Sequence, residues 1–359
     1  MKSPLEASPA VTRLIDISPS RTLRTGDDLV AAGLARDANE LAPVMAAYAT
    51  AITPALAALI DRDDPHDPIA RQFVPSTDEL KVRPEELADP IGDVAHEPVP
   101  GIVHRYPDRV LLKAVAVCPV YCRFCFRREM VGPDSQGNLS QPDLDRALGY
   151  IRSRPEIWEV IVTGGDPFML SERRAAALTK ALEDMPHVKV VRWHTRMPVA
   201  DPARVSLAFI EAIRSAKKAV YVAVHCNHAR ELTVDARAAL ARMTDAGVVV
   251  LSQTVLLKGV NDDIDTLADL MRSLVAARVR PYYLHHADLA LGTSHFRTTI
   301  AEGQTLVRAL RDRVSGLAQP HYVIDIPGGV SKALASQADV ETEDGRTRLR
   351  GRDGAWRDY

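Results

Sequence analysis

Cysteine is scarce in this chain, four residues in 359. So few, with three of them clustered, do not make a disulfide framework. Charge imbalance is lacking too. Lys and Arg number 45 against 47 Asp and Glu, a net charge of −2, so no broad field draws in nucleic acid or an anionic membrane. No apolar run approaches the roughly 20 residues that cross a bilayer. The opening Met1-Lys2-Ser3-Pro4-Leu5-Glu6 lacks the apolar centre of a secretory signal. No internal repeat or low-complexity linker divides the sequence sharply. These absences lead to the expectation of a cytoplasmic protein that engages neither nucleic acid nor membrane. The remainder is ordinary for a globular chain, 46% hydrophobic and 26% charged, and long enough for one large or two modest domains.

Residues 1–25 are polar and read as extended. Leu41 to Ile60 is apolar all round and reads as two short helices broken near Thr53-Pro54. Residues 61–104 carry Asp-Pro turn signals such as Asp64-Pro65 and Asp67-Pro68. Residues 1–104 are therefore expected to form a mainly helical extension wrapped onto the next domain. From Arg109 short β-branched strands alternate with longer helices. Strands are expected at 110–117, 159–163, 188–193, 219–224, 248–253, 281–285 and 321–325, with helices at 144–153, 172–184, 205–216, 233–246, 262–277 and 302–314. This alternation is α/β and implies parallel βα units with right-handed crossovers, in a barrel or a doubly wound sheet. Cys118, Gly164-Gly165-Asp166, His194, His225, Gln253, Asp288 and Asp325 all fall at or just past strand C-termini, where βα barrels hold their ligands. The expected divisions are 1–104, a barrel over 105–332, and a charged tail over 333–359.

Three cysteines lie within Cys118-Pro119-Val120-Tyr121-Cys122-Arg123-Phe124-Cys125, spaced C-x3-C-x2-C. Thiolates this close can converge on one soft metal centre. Three ligands to a [4Fe–4S] cluster leave one iron open for a small molecule. A structural zinc with a distant fourth ligand is the competing reading, although structural zinc usually pairs two short cysteine knuckles and no second one exists here. Thr163-Gly164-Gly165-Asp166-Pro167 closes the next strand, with glycines that permit close backbone approach. Ile326-Pro327-Gly328-Gly329-Val330-Ser331-Lys332 follows the last strand, and its lysine could hold an aldehyde as a Schiff base.

The cysteine spacing, followed by the Gly-Gly-Asp-Pro loop, resembles the radical S-adenosylmethionine (SAM) superfamily. With the Lys332 loop, the resemblance narrows to the lysine 2,3-aminomutases and extends from about Asp61 to Lys332. It implies a partial (β/α)6-type open barrel. It also implies a [4Fe–4S] cluster on Cys118, Cys122 and Cys125, SAM against Gly164, Gly165, Asp166 and His225, and pyridoxal 5′-phosphate on Lys332. Arg105, Tyr106, Arg109 and Gln253 would help hold the pyridoxal, guanidinium suiting its phosphate. Arg127, in Cys125-Phe126-Arg127-Arg128, would take the amino-acid carboxylate. Asp288 and Asp325 would grip the ε-ammonium of lysine, since a buried cation needs paired counter-charge. Asn227 also matches, and His295-Phe296-Arg297 matches without an evident role.

The resemblance further implies a reductant such as flavodoxin or ferredoxin, and association into oligomers. The chain departs from many lysine 2,3-aminomutases in having no cysteine after Cys226, so their C-terminal zinc element is expected to be absent. The expected reaction moves the α-amino group of L-lysine from C2 to C3, giving β-lysine. Rivals are the same chemistry on arginine, ornithine or a lysine destined for elongation factor P, a non-catalytic iron–sulfur electron carrier, and a zinc-stabilised binding module.

Overall fold

The computed structural model describes residues 19–132, 137–336, 339–343, 346–351 and 354–358. Residues 1–18 of the expected extension lie outside this set. The N-terminal part forms short helices α1 (Gly26–Ala31), α2 (Ala38–Ala47), α3 (Pro54–Ala57) and α4 (Pro68–Phe73). The break expected at Thr53-Pro54 falls where Thr53 caps α3 and Pro54 opens it. Helix α4 lies in the stretch read as turns: Asp67 supplies the cap and Pro68 the first turn, so the turn signal is a helix start. Leu23, Leu29, Ile52, Leu56, Ile69 and Phe73 form a small core of their own, which also includes Val120 from between the cysteines.

Nine strands form one sheet in sequence order: β1 (Ile102–Tyr106), β2 (Arg109–Val115), β3 (Glu159–Gly164), β4 (Val190–Thr195), β5 (Ala219–His225), β6 (Val249–Leu256), β7 (Arg280–His286), β8 (His321–Asp325) and β9 (Lys332–Leu334). Neighbours from β2 to β8 pair in parallel, while β1 and β9 are antiparallel edges. Between them run α5 (Gln141–Arg152), α6 (Glu172–Glu183), α7 (Met197–Ala200), α8 (Leu207–Ile213), α9 (Val234–Asp245), α10 (Ile264–Ala276) and α11 (Ile300–Arg313). The architecture is the partial βα barrel that the resemblance implies. Two sheet boundaries differ from expectation. The sheet begins at Ile102, on an antiparallel strand whose burial does not alternate, and it ends on β9, which starts at Lys332. The tail adds a separate three-stranded sheet, β10 (Val340–Glu343), β11 (Arg346–Arg350) and β12 (Trp356–Asp358).

Local chemistry sets the helix starts. Ser140, Ser171, Ser206, Thr233, Asp263 and Thr299 cap α5, α6, α8, α9, α10 and α11, each side chain accepting a backbone N–H. Such caps contribute about 1 kcal/mol each. Strand alternation then sorts the side chains. Val160, Val162, Val191, Trp193, Val222, Val224, Val250, Leu284 and Tyr322 join the main core with Ile151, Leu178, Phe209, Leu240 and Leu274 of the helices. The opposite parity carries Thr163, Arg192, His194, His225, Gln253, His285 and Asp325, which puts these polar residues on the sheet's other face. No helix among the described residues is long and apolar enough to cross a membrane.

Candidate active site

The cysteine loop follows β2 and is seated by the N-terminal extension. Tyr121 N donates to Ala51 O at 3.2 Å and Arg123 N to Gln72 O at 2.9 Å. Glu79, fully buried, accepts from Arg123 Nε at 2.9 and 3.0 Å and Nη2 at 2.6 Å, and also from Arg128 Nη2. Arg196, at the end of β4, donates from Nη1 to Cys122 Sγ at 3.0 Å. Burial pushes all three thiols up, Cys125 to about 11; Cys122 raises Cys125 further, Asp166 and then the other two cysteines raise Cys118, and Arg196 works against the rise at Cys122. Three thiols on one short loop suit a shared cluster. No group of three His, Cys, Asp or Glu among the described residues could hold a single metal ion.

Gly164 has φ +121°, and a Cβ on it would collide with Val115 O; one on Gly165 would collide with the backbone of Val117. The glycines therefore admit the chain's own backbone, and Gly165 N and Asp166 N donate to Val115 O and Val117 O at 2.6 and 2.9 Å. This ties the Gly-Gly loop to the strand end that leads into Cys118. The Asp166 carboxylate accepts from Phe168 N at 2.9 Å, Thr195 Oγ1 at 2.7 Å and Arg196 N at 2.8 Å. Its side chain joins β3 to β4. His225 closes β5, where burial, then Arg196 and His285, push its imidazole down to about 3. Asn227 is fully buried and bonds Gln72, Val255 and Glu231, so it organises the loop after β5. Gln253 lies buried on β6.

The two edges of the sheet meet at the Lys332 loop. Asp325 and Lys332 are paired across β8 and β9. Lys332 Nζ lies 2.5 and 2.6 Å from the two Asp325 oxygens. Lys332 N donates to Tyr106 Oη, on β1, at 3.0 Å. Gly328 and Gly329 have φ +81° and +78°, and a Cβ on Gly329 would fall 2.9 Å from Arg105 Cδ and collide with Ile91 O. The space beside Gly328 is open. Arg105 donates to Ile91 O at 2.9 Å and Asp93 Oδ1 at 3.2 Å, and Arg109 stacks 3.7 Å from the Tyr106 ring centre. An amine, a phenol and two guanidiniums around a glycine turn suit a phosphorylated aldehyde.

Arg127 is buried, with Nε on Asp93 Oδ2 at 2.8 Å and Nη1 on Thr163 Oγ1 at 3.2 Å. Asp288 has no hydrogen-bond partner among the described residues, and burial, then Asp325, push its carboxyl up to about 7. Burial also opposes ionisation of Asp325, yet His285 and Lys332 hold it well below the usual carboxylate range. Asp325, Lys332, Arg127 and Arg105 all act on the Asp288 carboxyl, which places Asp288 within reach of each. Sequence reasoning passed over Glu79, Asp93 and Arg196, because nothing in their local strings marks them, and gave His285, three residues before Asp288, no role of its own. His194 was singled out by position only; its Nε2 is buried without a partner, and burial, then Arg192 and His225, push the ring well below its ordinary value. The His295-Phe296-Arg297 string ties the extension down: Arg71 Nη2 donates to His295 O at 2.8 Å, and Arg297 Nη2 to Glu85 at 2.9 Å.

The Radical SAM superfamily profile matches residues 113–271, from β2 into α10. L-lysine 2,3-aminomutase of Clostridium subterminale is 39% identical over 282 residues, 79% of this chain and 67% of that protein. The chain belongs to the lysine 2,3-aminomutase family of radical SAM enzymes. Its relatives there include L-lysine 2,3-aminomutase of Escherichia coli, 38% identical over 76% of this chain and 79% of that one. That of Fusobacterium nucleatum is 36% identical over 86% and 72%. A crystal structure of a radical SAM methyltransferase from Sphaerobacter thermophilus aligns with a TM-score of 0.42 at 18% identity, over 62% of this chain and 68% of that one. Family membership makes the chain an enzyme, an isomerase, and carries with it a [4Fe–4S] cluster, SAM, an amino-acid substrate and a reductant.

Proposed function

We propose that the enzyme moves the α-amino group of L-lysine from C2 to C3 to give β-lysine, with pyridoxal 5′-phosphate on Lys332. One observation carries this reading. Asp325 already holds an ε-ammonium, that of Lys332, through both oxygens at 2.5 and 2.6 Å, with Asp288 unpartnered nearby. A pocket that receives one lysine side chain in this way suits a second. The names of the relatives support the same substrate.

Cys118, Cys122 and Cys125 would hold the cluster, and the backbone around Gly164-Gly165-Asp166 with His225 would face SAM. Tyr106, Arg105, Arg109, Gln253 and Lys332 would hold the pyridoxal phosphate. When bound, the cluster and SAM supply reversible hydrogen-atom abstraction, and pyridoxal phosphate supplies the carbonyl that carries the migrating nitrogen. The residues of the chain do the rest. Arg127 presents a guanidinium fixed at two of its nitrogens and orients the carboxylate. Asp288 and Asp325 grip the far ammonium, so Cα and Cβ are held between two anchors. His225, kept neutral by burial, adds no competing charge beside SAM. An oxygen-labile cluster assigns the enzyme to a reducing compartment, the cytoplasm.

The test is anaerobic reconstitution with iron, sulfide and pyridoxal phosphate, then reductant, SAM and L-lysine, with chiral chromatography of the products. β-Lysine that requires both cofactors, and is lost in Lys332→Ala, is the expected result. Formation of 5′-deoxyadenosine without β-lysine would overturn the substrate. Full turnover by Lys332→Ala would overturn the pyridoxal role.

A further inference from the structure

Asp93 follows the short stretch Pro90-Ile91-Gly92 of the extension, outside every motif in the sequence. Its side chain is fully buried. One oxygen accepts from Arg105 Nη2 at 3.2 Å and the other from Arg127 Nε at 2.8 Å. Burial works against ionising Asp93, but Arg127, then Arg105 and Lys113, hold its carboxyl below the usual range. Its own position is fixed, since Asp93 N donates to Asp89 Oδ1 at 2.9 Å. Neighbouring Gly92 packs so tightly that a Cβ there would collide with Gly328 of the lysine loop.

The two arginines come from different elements, β1 and the cysteine loop. Under the reading above they bind different anions, the pyridoxal phosphate and the amino-acid carboxylate. We propose that Asp93 is a positioning residue that sets the two anion-binding guanidiniums, Arg105 and Arg127, at a fixed separation, so that phosphate and carboxylate bind in register. A carboxylate bridging two cations from opposite oxygens fixes both in distance and orientation. It also cancels the repulsion that would otherwise spread two buried guanidiniums. Asp93 touches neither ligand directly; it acts through the arginines. This inference rests on the assignment of Arg105 and Arg127 to those two anions.

Asp93→Glu is the discriminating variant. It keeps the charge and hence the compensation of both arginines, but moves the carboxylate by one methylene. Binding of pyridoxal phosphate would be read from absorbance of the complex, without SAM or turnover, with phosphate-free pyridoxal alongside. L-Lysine and L-lysinamide would be titrated into the loaded protein. We expect Asp93→Glu to weaken pyridoxal phosphate and L-lysine about tenfold each, and pyridoxal and L-lysinamide less than about twofold. Thermal melting and iron content should stay at wild-type values. Equal weakening of the charged and uncharged member of each pair, wild-type affinity for all four, or a lowered melt would each overturn the inference. Failure of the wild-type protein to bind pyridoxal phosphate through Lys332 would instead overturn the functional reading beneath it.

Discussion

Replacing Asp325 with asparagine should move two binding equilibria in opposite directions. In the structure the Asp325 carboxylate holds the Lys332 ammonium by two contacts, at 2.5 and 2.6 Å. To condense with pyridoxal phosphate, Lys332 must leave that pair and give up a proton. The aspartate side chain is 8% exposed and the lysine 31%. The pair therefore falls between an exposed salt bridge, about 0.2–1 kcal/mol, and a buried charged hydrogen bond, about 1.5–3 kcal/mol. Discounted for the lysine's exposure, its hold is about 1 kcal/mol, or about fivefold in an equilibrium. Asp325→Asn should thus tighten pyridoxal phosphate by about fivefold. The same change should weaken L-lysine by about 10- to 100-fold in the loaded protein, because its ammonium loses a charged partner in a dry pocket. Norleucine, which lacks that ammonium, serves as the control and should bind unchanged. Absorbance titration reads the first quantity and competition the second. If both affinities fell together, Asp325 would be organising the β8–β9 hairpin, and the argument from competing ammonium groups would be wrong.

Two further outcomes follow from buried charge. The Asp288 carboxyl, pushed up to about 7 by burial and then by Asp325, must ionise to receive an ammonium. L-Lysine affinity should therefore be flat above about pH 7 and fall about tenfold per unit below it; Asp288→Asn should abolish that slope, measured by titration across pH. The folded value also lies above the unfolded value of about 3.9, so the native state holds the extra proton and the ligand-free wild type loses stability as pH rises from about 4 to about 7. Melting temperatures should accordingly favour Asp288→Asn more at pH 8 than at pH 5, and an equal difference at both would refute the assignment. Glu79→Gln strips the counter-charge from Arg123 and Arg128, both buried beside the cysteines. It should cost about 3–5 kcal/mol of stability and lower the iron retained after reconstitution; an unchanged melt would show that the two arginines find other partners.

The barrel was legible because its strands are β-branched, its helices start on Ser, Thr or Asp, and its polar residues recur at strand ends. Those are local signals, and local signals survive in a single sequence. The cysteine loop and the Lys332 loop were legible for the same reason, each being a compact string. Strand β9 was not, because three residues show no period, and β1 was not, because its burial does not alternate along the strand. Helix α4 was missed because Asp67-Pro68 serves equally as a turn and as a cap followed by a first helical residue. Glu79 and Asp93 were invisible for a different reason. Their meaning lies in charged partners 12 to 49 positions away, and no spacing rule reaches that far.

Lys332 stands on the final strand of the sheet and leans, through its backbone N–H, on a phenol of the first strand, 226 positions earlier. That contact fixes an order of assembly. The lysine loop cannot form until β9 has emerged, because Tyr106 on β1 waits for Lys332. A ligand anchored on both Arg105 and Lys332 would then act as a clasp between the beginning and the end of the barrel. Holding that ligand and finishing the fold become one event.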